Sequence, residues 1–411
     1  MQINREMKVG VGFATGRKSF QKILRTYVYN WQESSLTDKQ KIRLNLFVAY
    51  DLKYADTQIK DYINISEDVR DQIDQTYFIG TSAIQREIEH LAGEKVITEK
   101  EAQIVFGGGY AGKRNAVLYM ALKSKMDCLL FLDDDEYPMA VTKNQSTALW
   151  GGQQVLSVHL EHIKHADITN GHHCGYISPI PHILFNETLT VSDFRLFIEA
   201  ISNDIVSWDK IYALMQNGGV TYADTKILTT NQAEEVEEKN HSKFISGANL
   251  CINLAHPDRV SPFYNPPGAR GEDTFLSTCL SERTVLRVPC YTFHDGFSTY
   301  NHLMDGVLPI SLRQIRADND ANITRFYKAC IGWIRYKPLL LYITDREHYD
   351  EKIQLMRENL EVTLPKICEY FGRPGFADIA KELEKYHGNV KKHYSHYLQS
   401  QVIWQKIIKF L

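Results

Sequence analysis

The chain has no long apolar run, no closely paired cysteines and no large excess of charge of either sign. Each absence removes a class of function. No apolar stretch approaches the ~20 residues needed to cross a bilayer. The seven cysteines, Cys128, Cys174, Cys251, Cys279, Cys290, Cys330 and Cys368, are scattered and odd in number, with no C-x-x-C pair. That pattern argues against a disulfide framework or a thiolate zinc site, and for a reducing compartment. Lys and Arg total 47 against 50 Asp and Glu, a formal net charge of -3, so no global basic field points to nucleic acid. Internal repeats and low-complexity tracts are lacking. The start, residues 1–8, is polar and leads directly into a strand-like stretch, which reads as a chain without a secretory leader. The expectation is a cytoplasmic protein; its 411 residues, 44% hydrophobic and 24% charged, suit about two or three domains.

What is present is an alternation of strand and helix patterns. Residues 8–15 alternate through Val9, Val11 and Phe13 and end at Thr15-Gly16-Arg17. A helical pattern follows through Phe20, Ile23, Leu24 and Tyr27. Residues 43–50 repeat the strand pattern and end at Asp51. Residues 67–90 read as helical in pieces, residues 103–106 as a short strand running into Gly107-Gly108-Gly109, and residues 111–122 as a helix. The apolar run Cys128-Leu129-Leu130-Phe131-Leu132 reads as a buried strand. Farther on, residues 153–164 and 191–216 read as helices, 234–239 as a solvated acidic loop and 285–293 as a strand. This predicts an α/β fold with a mostly parallel sheet flanked by helices. Residues 1–302 form the expected main domain, split into a nucleotide-binding part (1–140) and an acceptor and catalytic part (141–302). Residues 303–411 form a helical C-terminal region. Ligands of such sheets bind beyond the carboxyl ends of the strands, where Thr15, Asp51, Gly107 and Asp133 are expected.

Four pieces carry chemistry. Asp133-Asp134-Asp135 closes the central strand, and adjacent acids repel one another unless a cation sits among them; a divalent metal carrying a diphosphate is one such partner. Gly107-Gly108-Gly109-Tyr110-Ala111-Gly112-Lys113-Arg114-Asn115 is a glycine-rich loop entering a helix with two cations, an arrangement suited to an anion. Gly271-Glu272-Asp273 follows a Gly/Pro loop, where a carboxylate either caps a helix or serves as a base facing a pocket. His294 follows an apolar strand and reads either as a structural histidine or as a nitrogen ligand.

Taken in order, Gly112-Lys113-Arg114-Asn115-Ala116, the Asp-x-Asp step at Asp133–Asp135 and the Gly-Glu-Asp step at Gly271–Asp273 resemble the GT-A fold glycosyltransferases that use nucleotide sugars, family 2 in flavour, over residues 8–297. The chain departs from that pattern in two places: the acidic turn after the second strand is reduced to Tyr50-Asp51-Leu52, and a Gln-x-x-Arg-Trp acceptor motif is missing. The resemblance implies a Rossmann-like GT-A domain that moves a sugar from a UDP- or GDP-sugar to a glycan or lipid-linked acceptor, in surface glycan or glycoconjugate synthesis. It places Phe13, Ala14 and Thr15 beside the nucleotide base, with Asp51 accepting hydrogen bonds from it and Arg17 reaching in from the same turn. Lys113 and Arg114 lie along ribose and phosphates. Asp133 faces ribose or the metal shell, and Asp134 stands behind it. Asp135 and His294 bind Mn²⁺ or Mg²⁺. Asp273 is the base, with inversion at the anomeric carbon, and Glu272 orients it or the donor. Residues 247–249 shape the donor-sugar pocket.

Some readings stay open at this level. A retaining GT-A enzyme, a sugar nucleotidyltransferase and a non-catalytic carbohydrate-binding protein are the alternatives. Gly171-His172-His173-Cys174 reads as a polar loop near the pocket rather than a metal site. Residues 391–411 lack acidic side chains and carry Ile403, Trp404, Ile407, Ile408, Phe410 and Leu411. That tail either lies on the inner face of a membrane, or docks on the body of the protein or on a second copy in a homo-oligomer.

Overall fold

The computed structural model describes residues 6–34, 42–202 and 207–411; residues 1–5 of the polar start and 203–206 of the expected helix 191–216 lie outside them. The fold is α/β, with a mixed sheet flanked by helices and a helical C-terminal region. Strands β1 (Met7–Thr15), β2 (Ile42–Tyr50), β3 (Gln75–Ile79) and β4 (Cys128–Leu132) are all parallel, in the order β3-β2-β1-β4. Next come β5 (Glu136–Tyr137), the hairpin β6 (Met139–Asn144) and β7 (Thr147–Gly152), and β8 (Ile168–Gly175). The two-residue strands β9 (Glu234–Glu235), β10 (Glu238–Lys239) and β11 (Ser242–Lys243) precede β12 (Leu250–Asn253) and β13 (Val285–His294).

The expectation of a mostly parallel sheet holds only for its first four strands. β12 enters antiparallel between β4 and β8, and β5 and β9 pair antiparallel with β13, so the sheet as a whole is mixed. Strand order reverses between β1 and β4: the chain runs outward from β1 through β2 to β3, then returns to place β4 on the other side of β1. A crevice forms at the carboxyl ends of strands at such a reversal. Phe13 pairs with Leu132 in register, so Thr15 and the three aspartates meet there.

Side-chain alternation explains the packing of the central strands. Val9, Val11 and Phe13 join Leu130 and Leu132 on one face, under the helix Phe20–Glu33. Leu129 and Phe131 point to the other face, toward Val117 of the helix Tyr110–Lys123. Gly12 lets that helix close in, because a methyl group there would stand 2.7 Å from Val117 Cγ1.

Two local readings change. Residues 103–106 end a helix, Glu99–Phe106, not a strand. Thr98 and Glu101 form a capping box that starts the helix upstream, outweighing the β-branched look of Ile104 and Val105. Residues 67–90 contain the edge strand β3, whose side chains are mostly half-exposed and so lack a clean apolar alternation; Tyr77 stacks on Phe47 at 4.6 Å.

The C-terminal helices Asp320–Thr344, Tyr349–Tyr370 and Asp378–Gly388 share one apolar cluster with the helices Val191–Ile201 and Trp208–Gln216, through Phe326, Ile334, Leu360 and Ile379 against Phe194, Phe197 and Ile211. The last helix, Val390–Phe410, docks on the body. Ile403, Trp404 and Ile407 are buried beside Ala102 and Val105, and Lys406 pairs with Glu101 at 2.6 Å, while Phe410 remains 41% exposed. Among the described residues no helix is long and apolar enough to cross a membrane.

Candidate active site

The site is a dense ion-pair cluster at the rim of β1, β2 and β4. The last residue of β1, Thr15, and Arg17 in the loop after it both contribute. The Thr15 hydroxyl donates to Asp134, and Arg17 Nη1 donates to Asp134 Oδ1 at 2.9 Å while also pairing with Asp135. Asp51, whose backbone N–H bonds Thr15 O at 2.9 Å, meets Lys113 Nζ at 2.9 Å. Burial opposes ionisation of Asp51, but Lys113 and the Lys53 amide hold its carboxyl below the usual range.

The glycine-rich loop is shaped to deliver these cations. Gly109 has φ +97 and opens the helix Tyr110–Lys123, and a methyl group on Gly112 would stand 1.8 Å from Gly107 O, so the loop folds directly over the first turn. Consecutive Lys113 and Arg114 then diverge. Arg114 turns inward and is 3% exposed. Its Nη2 donates to Asp133 Oδ1 at 3.0 Å, its Nε to Glu272 Oε1 at 3.4 Å and its Nη1 to Gly247 O at 2.5 Å. It lies over the Phe131 ring at 5.3 Å and the Phe263 ring at 5.7 Å. Expected along ribose and phosphates, Arg114 has its donors taken up inside the protein in this structure, where it ties the Asp133, Gly247 and Glu272 segments together.

The acids have different partners. Burial, only partly offset by Arg114 and reinforced by the neighbouring carboxylates, pushes Asp133 up to about 7. Asp135 faces His294, whose Nε2 lies 3.3 Å from Asp135 Oδ2. Burial would raise Asp135, yet His294 and Arg17 hold it far below the carboxylate range. Burial would lower His294, yet Asp135 and Glu136 raise it to about 9. Glu136 points into the sheet, where the Thr292 hydroxyl donates to it at 2.7 Å and His173 Nδ1 stands 3.2 Å away. His173 thus belongs to strand β8 and to this buried network, not to a loop, and His172 stacks on Tyr291 at 5.1 Å. Among the described residues no group of three or more His, Cys, Asp and Glu side chains is arranged as a metal centre. Asp135 and His294 stand as a carboxylate–imidazole ion pair, and a metal there would need His294 to give up the proton that Asp135 and Glu136 stabilise.

Asp273 lies in the first turn of the helix Glu272–Ser277, which Gly271 opens with φ +93. The amides of Gly247 and Thr274 donate to its two oxygens at 3.0 and 2.8 Å. Burial and the adjacent Glu272, against the pull of Arg114, place it at about 6. A carboxyl poised there is ionised near neutral pH and still able to take a proton.

Other expected contacts fall out differently. Phe13 is fully buried edge-on to Phe20 at 5.1 Å, so its ring does not reach the crevice; Ala14 is 6% exposed. Asn249 is buried, its Oδ1 2.8 Å from His159 Nε2, and braces β12 rather than lining an open pocket. Gly107 stands at a helix end, not a strand end. Three groups escaped sequence reasoning. Tyr54 packs over Gly16 and meets Tyr110 edge-on at 6.0 Å, forming an aromatic mouth beside Arg17. Arg270 approaches the same mouth. Arg325 arrives from the C-terminal helices beside His294. The Gly-rich Gly268-Ala269-Arg270 loop was a signal for Arg270; nothing near Arg325 in sequence marks it.

No protein-family model matches the chain, and no curated protein matches it significantly.

Proposed function

We propose that the chain is a metal-dependent GT-A glycosyltransferase that moves a sugar from a UDP- or GDP-sugar to an acceptor hydroxyl with inversion. The observation that carries this reading is the meeting, at the reversal of strand order, of Asp135 with His294 and of Asp133 with Arg114, Glu272 and Gly247, beside Asp273. What supports it is that residues distant in sequence converge on one rim, with the Asp135–His294 pair at one place and a carboxyl of raised pKa, Asp273, at another.

Asp135 and His294 would hold Mn²⁺ or Mg²⁺, whose charge neutralises the leaving diphosphate. Lys113, on Asp51, and Arg17, on Asp134 and Asp135, would turn to the nucleotide. Tyr54 and Tyr110 offer faces on which a base can stack. Asp273 takes the proton of the acceptor hydroxyl as its oxygen bonds to the anomeric carbon; the bond from that carbon to the diphosphate breaks, and the nucleoside diphosphate leaves with the electron pair. The acceptor is a glycan or lipid-linked saccharide, and the setting is cytoplasmic glycan or glycoconjugate assembly.

The test is incubation of the purified chain with Mn²⁺ and a panel of UDP- and GDP-sugars, following nucleoside diphosphate release by chromatography. Turnover of one donor, lost in Asp135→Ala, is the expected result. No binding or turnover of any donor refutes the proposal, and pyrophosphate release from a nucleoside triphosphate plus a sugar phosphate would point instead to a nucleotidyltransferase.

A further inference from the structure

Arg325 is the anomaly of this site. It sits in the first turns of the helix Asp320–Thr344, outside every motif, and its guanidinium carbon lies 4.6 Å above the Phe297 ring. Its Nε is fully buried with no hydrogen-bond partner, and among the described residues the side chain makes no hydrogen bond or ion pair. The buried cation here, Arg114, is by contrast fully engaged.

The position of Arg325 is fixed by Gly296. A methyl group on Gly296 would stand 2.6 Å from Arg325 Nη2 and 3.2 Å from His294 Cε1, so the bare backbone there lets the guanidinium and the imidazole approach from two sides. Asp135, Arg17 and Arg270 are all within electrostatic reach of Arg325, and burial pulls its pKa down. Asp135 is already shared by Arg17 and His294. Arg325 is half-buried, and among the described residues its guanidinium finds no partner beside a carboxylate that other cations already claim. It is well placed for an anion that arrives with its own negative charge, because a planar guanidinium matches phosphate oxygens with two parallel donors.

We propose that Arg325 binds the diphosphate of the donor nucleotide, so that the helical C-terminal region completes the site beside His294. This rests on the transferase reading above. It makes the helical region part of the donor site, and the ligand is a nucleoside diphosphate rather than a nucleoside.

Titration calorimetry of UDP and GDP, in Mn²⁺ and in chelator, tests it on the wild type, Arg325→Gln and Arg325→Lys. The expected result is that Arg325→Gln weakens the preferred diphosphate by about ten- to a hundredfold and Arg325→Lys by less, since a charge-assisted contact is lost or only partly kept. Ligand-free Arg325→Gln should melt within a few degrees of the wild type, because the half-buried side chain it replaces makes no hydrogen bond or ion pair among the described residues. Wild-type affinity retained in Arg325→Gln overturns the inference and leaves the transferase reading standing; a lowered melting temperature with that unchanged affinity marks Arg325 as a packing residue. A wild type that binds neither diphosphate overturns the transferase reading itself.

Discussion

Replacing Arg114 by Met keeps much of its bulk but removes the guanidinium that joins three segments. The magnitude follows from its surroundings. Arg114 is 3% exposed and donates to Asp133, Glu272 and Gly247 O, so Met leaves two carboxylates and a carbonyl without their donor in a largely buried place. Breaking a buried pair on one side costs about 3–5 kcal/mol. Protonation of Asp133, which already stands at about 7, relieves part of this, so the loss should be smaller at pH 6 than at pH 8. The sign is that of a carboxyl whose folded pKa lies above its unfolded value near ~4: the folded state holds more protons between the two, so stability falls as pH rises through that window. Urea unfolding of wild type and Arg114→Met at both pH values measures it. Adding Asp133→Asn to Arg114→Met should recover part of the loss, because the two sites share one interaction. A single variant within about 0.5 kcal/mol of wild type at pH 8 would show that Arg114 does not hold these segments together.

Further outcomes can be stated briefly. Asp273→Asn should lower donor turnover by about 10²–10⁴-fold while leaving nucleoside diphosphate affinity within a few-fold, and the wild-type rate should rise with pH through about 6 as Asp273 ionises; equal turnover in the variant counts against Asp273 as base. Trp404→Ala should cost about 3–5 kcal/mol and expose the last helix to limited proteolysis, since the ring is fully buried against the body. An undisturbed digestion pattern would count against that docking. Burial holds His159 neutral, with a pKa lowered to about 4, between Thr169 and Asn249. The unfolded imidazole near ~6.5 binds more protons over that interval, so stability is present above 6.5 and is lost as pH falls toward 4. Urea midpoints of wild type and His159→Gln should therefore converge in acid, and parallel pH profiles would contradict this.

The parallel half of the sheet was legible because β1 and β2 alternate, β4 is a short continuous apolar run, and all three end on polar turns. The edge strand β3 was not, because an edge strand has little burial to record in its sequence. The helix Glu99–Phe106 was hidden by β-branched residues at its end, although Thr98 and Glu101 announced its start. Antiparallel insertion of β12 is set by a return of the chain through residues 176–249, which carries no local pattern for direction. In the site, motif spacing brought Asp135 and His294 into view and the structure pairs them, but it could not say that of two adjacent cations Lys113 faces Asp51 and Arg114 faces inward. That depends on the turn fixed by Gly109 and Gly112. Arg325 was illegible because its meaning comes wholly from what it lies beside.

The central claim, that the rim of β1 and β4 grips a divalent ion and a nucleoside diphosphate together, is tested most directly by Mn²⁺ electron paramagnetic resonance with UDP or GDP. The account predicts that one diphosphate tightens Mn²⁺ uptake by the wild type and that Asp135→Ala and His294→Ala each abolish the effect. Mn²⁺ uptake that no diphosphate changes, or that Asp135→Ala leaves intact, would contradict it.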